Sequence, residues 1–468
     1  MDLHVTLSGA GRLTADVYGQ IKQAILDGRL RPGDALPATR HLARQLAVSR
    51  NTVLNAYQML TAEGFLVGRV GAGTFVDAGA APHARRAARK TALHPRASWP
   101  RFDEARRPGA AYDFRIGSPD PALFPWRAWR ALVAGQLRGR QLHRGYPPPE
   151  GEPALRAAIA RHVGLARSVQ ADPDDVIITS GAQQAFDLIG RVLVEPGDIT
   201  AVEDPGYPPA RHAMEVLGAR VEPVRVDAEG LVVDAIPAGA RLVHVTPSHQ
   251  FPLGNAMSLS RRMALLAWSE RHSAAIVEDD YDSEFRFDGR PLEPLQSLDK
   301  GGRVLYVGTF SKVLLPTLRV GFVVAPSSLV PGLRAAKLFA DSHGPLDTQR
   351  ALAEFIDRGL LARHIRRMAR VYHDRREALL GALDRHLGDR VAAVPSAAGL
   401  HTTVHFRDRA VSEDLAHRAL EAGVAVQPLR PYYRRRHRAG LALGYGLITA
   451  ARIDEGIRRL AGALGTAR

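Results

Sequence analysis

The stretch from Arg303 to Pro326 reads RVLYVGTFSKVLLPTLRVGFVVAP, and most of the chain can be placed around it. Arg303 to Gly308 is a short apolar run with strand character; the small polar turn TFSK follows it, and a second buried run, VGFVVAP, comes next. Lys312 therefore stands just past a buried strand, where α/β folds place their chemistry. Lysine is scarce here: of 63 Lys and Arg residues only five are lysine (Lys22, Lys90, Lys300, Lys312, Lys337). Arginine keeps its proton inside a protein, whereas a desolvated lysine becomes a neutral amine able to form a Schiff base.

Further runs of the same kind lie on either side. From Tyr112 onward DVIITSG, DITAVEDPGY, RLVHVTPSH and AAIVEDDY alternate with helix-like stretches, which predicts a mostly parallel sheet flanked by helices. A smaller α+β unit is expected from about Asp347 to the end. Ser180, Gly181, Ala182 and Gln183 form a small turn that opens a helix and presents backbone N–H groups to an anion. Asp279 and Tyr281 are two residues apart on a strand and share a face. An aspartate beside an aromatic cofactor nitrogen keeps that nitrogen protonated, and Arg319 is a fixed cation suited to a phosphate. Taken singly these are ordinary caps and surface charges. Together with an amine at Lys312 they ask for pyridoxal 5'-phosphate.

The first 77 residues read differently. Thr14 to Asp27 carries a helical stripe at Val17, Ile21, Ala24 and Ile25, with Gly28 as its stop. ATRHLARQL and SRNTVLNAYQMLTAEG follow as two short helices joined by a tight turn, the second capped by Ser49. In a helix-turn-helix the opening residues of that second helix, Ser49, Arg50 and Thr52 among them, face the major groove. FLVGRVGAGTFV then reads as a β-hairpin wing carrying Arg69 around Gly71 and Gly73.

On the phrases GRLRPGDALPATRHLARQLAVSRNTVLNAYQMLTAEGFL and GAGTFV, residues 1–77 resemble the winged helix-turn-helix domain of the GntR family of bacterial regulators. Residues 111–468 resemble a class I, fold-type I aminotransferase, and the two joined resemble the MocR/GabR subfamily. The resemblance implies that Arg40, Arg50, Thr52 and the wing from Arg69 to Gly73 contact operator DNA. It implies Lys312 as the Schiff-base lysine, with Ser311 beside it. Asp279 corresponds to the pyridine partner, Tyr281 to the donor near the phenolic oxygen and Tyr207, in EDPGYP, to the stacking aromatic. Ser180 to Gln183 and Arg319 answer to the phosphate site, and Tyr146 to the tyrosine lent to a neighbouring subunit in a head-to-tail, domain-swapped homodimer.

Two departures stand out. Where aminotransferases carry an Asn-Pro-x-Gly turn this chain has TPSHQFPLG, with Phe251 in the asparagine's place, so His249 or Gln250 is expected to support the phenolic oxygen. The late strand GLALGYG holds no arginine for a substrate carboxylate, which leaves Arg430, in QPLRPYYRRRHR, as the nearest candidate for an effector carboxylate.

The composition sets outer bounds. Cysteine is absent from all 468 residues, which excludes disulfides and thiolate chemistry. With no apolar run long enough to span a bilayer and no signal-peptide core at the start, a cytoplasmic protein is expected. The net charge is +15, and residues 78–110 hold 8 basic and only 2 acidic side chains in an Ala, Pro and Arg-rich linker. The 18 histidines show no metal-ligand spacing, and His364 and His373 read as helix-surface residues. The expectation is a DNA-binding regulator that senses an amino compound, or the cofactor itself, at Lys312. The other reading is a working aminotransferase with a fused DNA-binding module.

Overall fold

The computed structural model describes residues 6–7, 12–80, 94, 96, 99, 109–138, 145–287, 293–408, 414–435 and 437–465. They form two compact units, Met1–Arg96 and Ala97–Arg468. Most of the expected linker lies outside the described residues.

In the first unit three helices, α1 (Leu13–Leu26), α2 (Thr39–Gln45) and α3 (Arg50–Ala62), precede a hairpin of β1 (Leu66–Arg69) and β2 (Gly73–Val76). The α1 stripe of Val17, Ile21, Ala24 and Ile25 is buried with Leu42 of α2 and Val53, Ala56, Tyr57 and Leu60 of α3. Helices this short do not persist alone; burial of each large aliphatic side chain, worth about 1.5–3 kcal/mol, holds them together. Ser49 caps α3, its Oγ accepting the Thr52 N–H at 3.1 Å. The hairpin pairs Leu66 with Val76 through to Arg69 with Gly73.

The second unit is built on an eight-stranded sheet. Across it lie Val176–Thr179, Gly321–Val324, Val304–Thr309, Ala275–Asp280, Ala240–Val245, Ile199–Asp204, Arg220–Asp227 and Gly230–Leu231. The strands from Val304–Thr309 to Arg220–Asp227 run parallel, whereas Gly321–Val324 is antiparallel to both of its neighbours. All six residues of Val304–Thr309 are buried, as a strand covered on both faces requires. Arg220–Asp227 carries no apolar run: only Val224 in RVEPVRVD is buried, so hydrophobicity did not announce it.

A second, antiparallel sheet consists of Val391–Ala393, His401–Phe406, Gly440–Gly444 and Gln427–Pro428. Met368, Tyr372 and Leu383 of helix Leu360–Leu387 and Ile457 of helix Ala450–Gly465 pack with its Val404 and Leu443. The expected boundary at Asp347 is not where the cores divide. Helix Leu346–Asp357 sends Leu352 and Phe355 into the cluster that holds Ile178 and Phe322 of the large sheet. At the other end of the unit Tyr112–Asp113 pairs in parallel with Val424–Ala425. His364 corrects a further expectation. It is buried, with Nε2 3.1 Å from the Val313 carbonyl, because this face of its helix packs on the loop that carries Lys312; His373 is exposed.

Candidate functional site

A cavity of about 180 Å³ opens at the carboxyl ends of strands Ala275–Asp280 and Val304–Thr309, and His401 of the second sheet, with Leu400 just before it, forms part of its wall. Lys312 enters it from the loop after Thr309, its Nζ donating to the Gly117 carbonyl at 2.6 Å. Burial pulls the pKa of this amine below the ordinary 10.5, opposed by the carboxylates of Asp282 and Asp279.

Asp279, on the neighbouring strand, is buried and lines the same cavity. Its Oδ2 lies 3.6 Å from His244 Nε2, and its Oδ1 has no hydrogen-bond partner among the described residues. Burial raises its pKa, with His244 acting the other way. A buried carboxylate oxygen without a donor is costly, so Asp279 fits a ligand that brings an N–H of its own.

The Tyr281 hydroxyl lies 2.9 Å from His249 Nδ1, which is also 2.8 Å from Asp282 Oδ1, while His249 Nε2 is 3.1 Å from Ser396 Oγ. Of the two side chains expected to replace the missing asparagine, His249 reaches Tyr281. Gln250 does not: its amide donates at 2.8 Å to both the Pro205 and the Phe251 carbonyls and braces the loop. Phe251 itself lines the cavity, edge-on to Tyr207 with ring centroids 5.3 Å apart. Burial, with Asp279 nearby, raises the Tyr207 hydroxyl to about 12.

Ala182, Gln183, Ser311 and Arg319 also line the cavity. Ala182 and Gln183 open helix Ala182–Leu193, so their N–H groups belong to the first, unpaired turn. Ser180 and Gly181 hold this turn in place without lining the cavity. The Ser180 N–H is taken by Gln184 Oε1 at 2.8 Å, and its carbonyl accepts from Arg319. Gly181 has φ +82°, and a Cβ there would stand 2.9 Å from the Arg319 guanidinium, so the close approach needs glycine.

Beyond Ser180 and Gly181, two expected residues, Tyr146 and Arg430, stay outside the cavity lining. Tyr146 is 88% exposed, with its ring 6.1 Å from that of His343. Arg430, on the turn Arg430–Tyr432, is exposed and outside the lining. Conversely, Gly117, Asp282 and His401 line the cavity without having been singled out. His249, Asp282 and His401 also place potential metal-ligating atoms within 4.8 Å of one another. His249 Nδ1 is bonded to Asp282 Oδ1, so two of the three are already paired with each other.

On the first unit Arg40 and Arg50 are exposed, and neither forms an ion pair among the described residues. The hydroxyls of Ser49 and Thr52 lie 2.8 Å apart. The Arg69 guanidinium sits over the Phe75 ring at 4.9 Å, and Gly71 and Gly73 take φ of +76° and +113° in the hairpin turn. This face offers solvated cations at a capped helix start and on a hairpin, the arrangement that backbone phosphates and base edges select.

Comparison with known proteins matches residues 13–76 to the bacterial regulatory proteins of the gntR family and residues 118–460 to aminotransferase class I and II. The chain is 38% identical to the probable rhizopine catabolism regulatory protein MocR of Rhizobium meliloti, over 95% of this chain and 92% of that one. It is 39% identical to the HTH-type transcriptional regulator TauR of Rhodobacter capsulatus, over 97% of each. Among solved structures it is similar to LysN, the alpha-aminoadipate aminotransferase of Thermus thermophilus, complexed with N-(5'-phosphopyridoxyl)-L-leucine. That likeness has a TM-score of 0.69 and 34% identity, and covers 75% of this chain and 91% of that one. No helix among the described residues is long and apolar enough to cross a membrane.

Proposed function

Because the chain belongs to the MocR/GabR subfamily of GntR regulators, with a gntR-family helix-turn-helix joined to an aminotransferase class I and II domain, we propose that it is a transcriptional regulator whose cavity holds pyridoxal 5'-phosphate and responds to an amine. The observation that carries the reading is the unpartnered Oδ1 of buried Asp279 in the same cavity as the depressed amine of Lys312. A pyridine N–H satisfies the first and an aldehyde the second. Pyridoxal phosphate, when bound, supplies a carbonyl for reversible condensation with amines and a ring that withdraws electrons.

The roles of the chain's own residues follow. Lys312, desolvated, gives its proton up more easily than a surface lysine. Asp279 keeps a proton on the ring nitrogen by facing it with a buried negative charge. Tyr281, steered by His249 and Asp282, donates to the phenolic oxygen, and Tyr207 stacks on the ring. Ala182, Gln183, Ser311 and Arg319 receive the phosphate, with Ser180 and Gly181 fixing their turn. Tyr146, exposed in one chain, is available to a second copy in a head-to-tail homodimer.

Regulation needs a ligand that binds two conformations unequally. The cavity wall is shared between the large sheet and the smaller one, so an occupant that touches both couples them. The first unit then reads operator DNA through Arg40, Arg50, Ser49, Thr52 and the Arg69 to Gly73 hairpin. The test is a visible absorbance titration of the purified protein with amines, paired with operator binding. A shift in the cofactor band that tracks DNA affinity without product release supports a sensor. Steady release of keto or aldehyde product with DNA affinity unmoved makes it an aminotransferase instead.

A further inference from the structure

His401 stands in the cavity wall on strand His401–Phe406, 3% exposed, and the cofactor reading makes no use of it. Its Nε2 lies 3.0 Å from the Pro252 carbonyl. A carbonyl only accepts, so Nε2 carries the ring's proton and Nδ1 is left as a lone-pair acceptor. Among the described residues Nδ1 has no hydrogen-bond partner. The ring stays neutral: burial, helped by neighbouring His249, lowers its pKa to about 4.

The remaining wall points the same way. Its charged side chains are Asp279, Asp282, Lys312 and Arg319. The cofactor reading uses Asp279, Lys312 and Arg319 directly and Asp282 through His249, which leaves no further cation among the described lining residues. Phe251 stands 6.0 Å from the His401 ring and 5.8 Å from that of Tyr281, an aromatic surface that favours a cationic or alkyl group over an anion. An anionic tail would face the His401 lone pair and the negative charge of Asp282, whose oxygens are already taken by His249 and the Leu400 N–H, whereas a donor tail would satisfy His401 Nδ1.

We propose that His401 accepts a hydrogen bond from the distal end of the effector, so that the preferred effector class is a primary amine whose other end carries a donor, a diamine or an amino alcohol, rather than an amino carboxylate. This rests on the cofactor reading, because Lys312 and the cofactor are taken to hold the near amine.

The experiment titrates the cofactor-loaded full chain, followed by visible absorbance, with butylamine, putrescine, aminobutanol and aminobutanoate. Putrescine and aminobutanol are expected to bind about tenfold more tightly than butylamine, the scale of one hydrogen bond to a charged or strongly polar group. The quantity read is this ratio within one protein, so a general loss of binding does not imitate the result. His401→Leu should bring the ratio to about one, and His401→Asn, which places an oxygen where Nδ1 stood, should restore part of it. Equal binding of butylamine and putrescine by the unaltered protein overturns the proposal. So does a preference for aminobutanoate, and loss of that preference in Arg430→Ala would assign the distal contact to Arg430. A protein with no cofactor band at all overturns the cofactor reading instead, and the two failures are told apart before any amine is added.

Discussion

The cavity and the recognition helix treat their charged residues in opposite ways. In the cavity Asp279 and Lys312 are removed from water, and burial shifts each toward its neutral form. At the start of α3 Arg50 is exposed, without an ion pair among the described residues. Reversible covalent chemistry needs an amine that loses its proton and a carboxylate whose charge is costly until a partner arrives. Phosphate recognition needs only cations that shed counterions and waters cheaply. The cavity thus withdraws its charged groups from water, whereas the start of α3 leaves its cation hydrated.

Four substitutions or titrations test this contrast. The largest effect is expected for Lys312→Ala: after loading with pyridoxal phosphate and borohydride reduction, mass spectrometry should find no covalently attached cofactor, while operator binding by the first unit persists. Label on the variant would mean that a different amine does the chemistry. Next, Asp279→Asn keeps the shape but removes the buried charge, and cofactor affinity should fall by about 10- to 100-fold, the range of a hydrogen bond to a charged group. An unchanged affinity in a fluorescence titration would show that the orphaned oxygen faces no cationic N–H.

On the exposed side, Arg50→Ala should weaken operator binding by about 1–3 kcal/mol and relax sequence preference at one position, read in a mobility-shift series with single-base operator variants. Uniform weakening across all variants would make Arg50 a phosphate contact. The smallest effect separates the two regions by pH. Because burial lowers the Lys312 pKa, the neutral amine predominates earlier as pH rises, and cofactor uptake by the apoprotein should climb and level off below the ordinary lysine value of 10.5. A stopped-flow profile still rising at that pH would place Lys312 in water, like the arginines of the head.

Much of this was legible without coordinates. The VLYVGT run, the turn after it and the scarcity of lysine singled out Lys312, and EDDYDSEF singled out Asp279 and Tyr281, because a buried strand with chemistry at its carboxyl end leaves a local signature. The stripe of α1 and the Ser49 cap placed the head for the same reason: helix period and capping are short-range. The strand Arg220–Asp227 escaped because its neighbours, not its own side chains, hold it in the sheet. The boundary at Asp347 slipped because helix Leu346–Asp357 is amphipathic toward a core contributed by residues far earlier in the chain.

The sequence by itself determined the residue types that the chemistry demands: an amine that can be neutralised, a carboxylate, an arginine and a glycine-built turn. Only the tertiary structure decided which of them meet. Gly117 and Lys312, or Pro252 and His401, are separated by well over a hundred residues, and no local pattern couples them. Likewise His249 and not Gln250 reaches Tyr281, and Arg430 stays outside the cavity. Residue type fixes what a group can donate or accept, but its partner is set by how two sheets pack, and packing depends on every side chain between them.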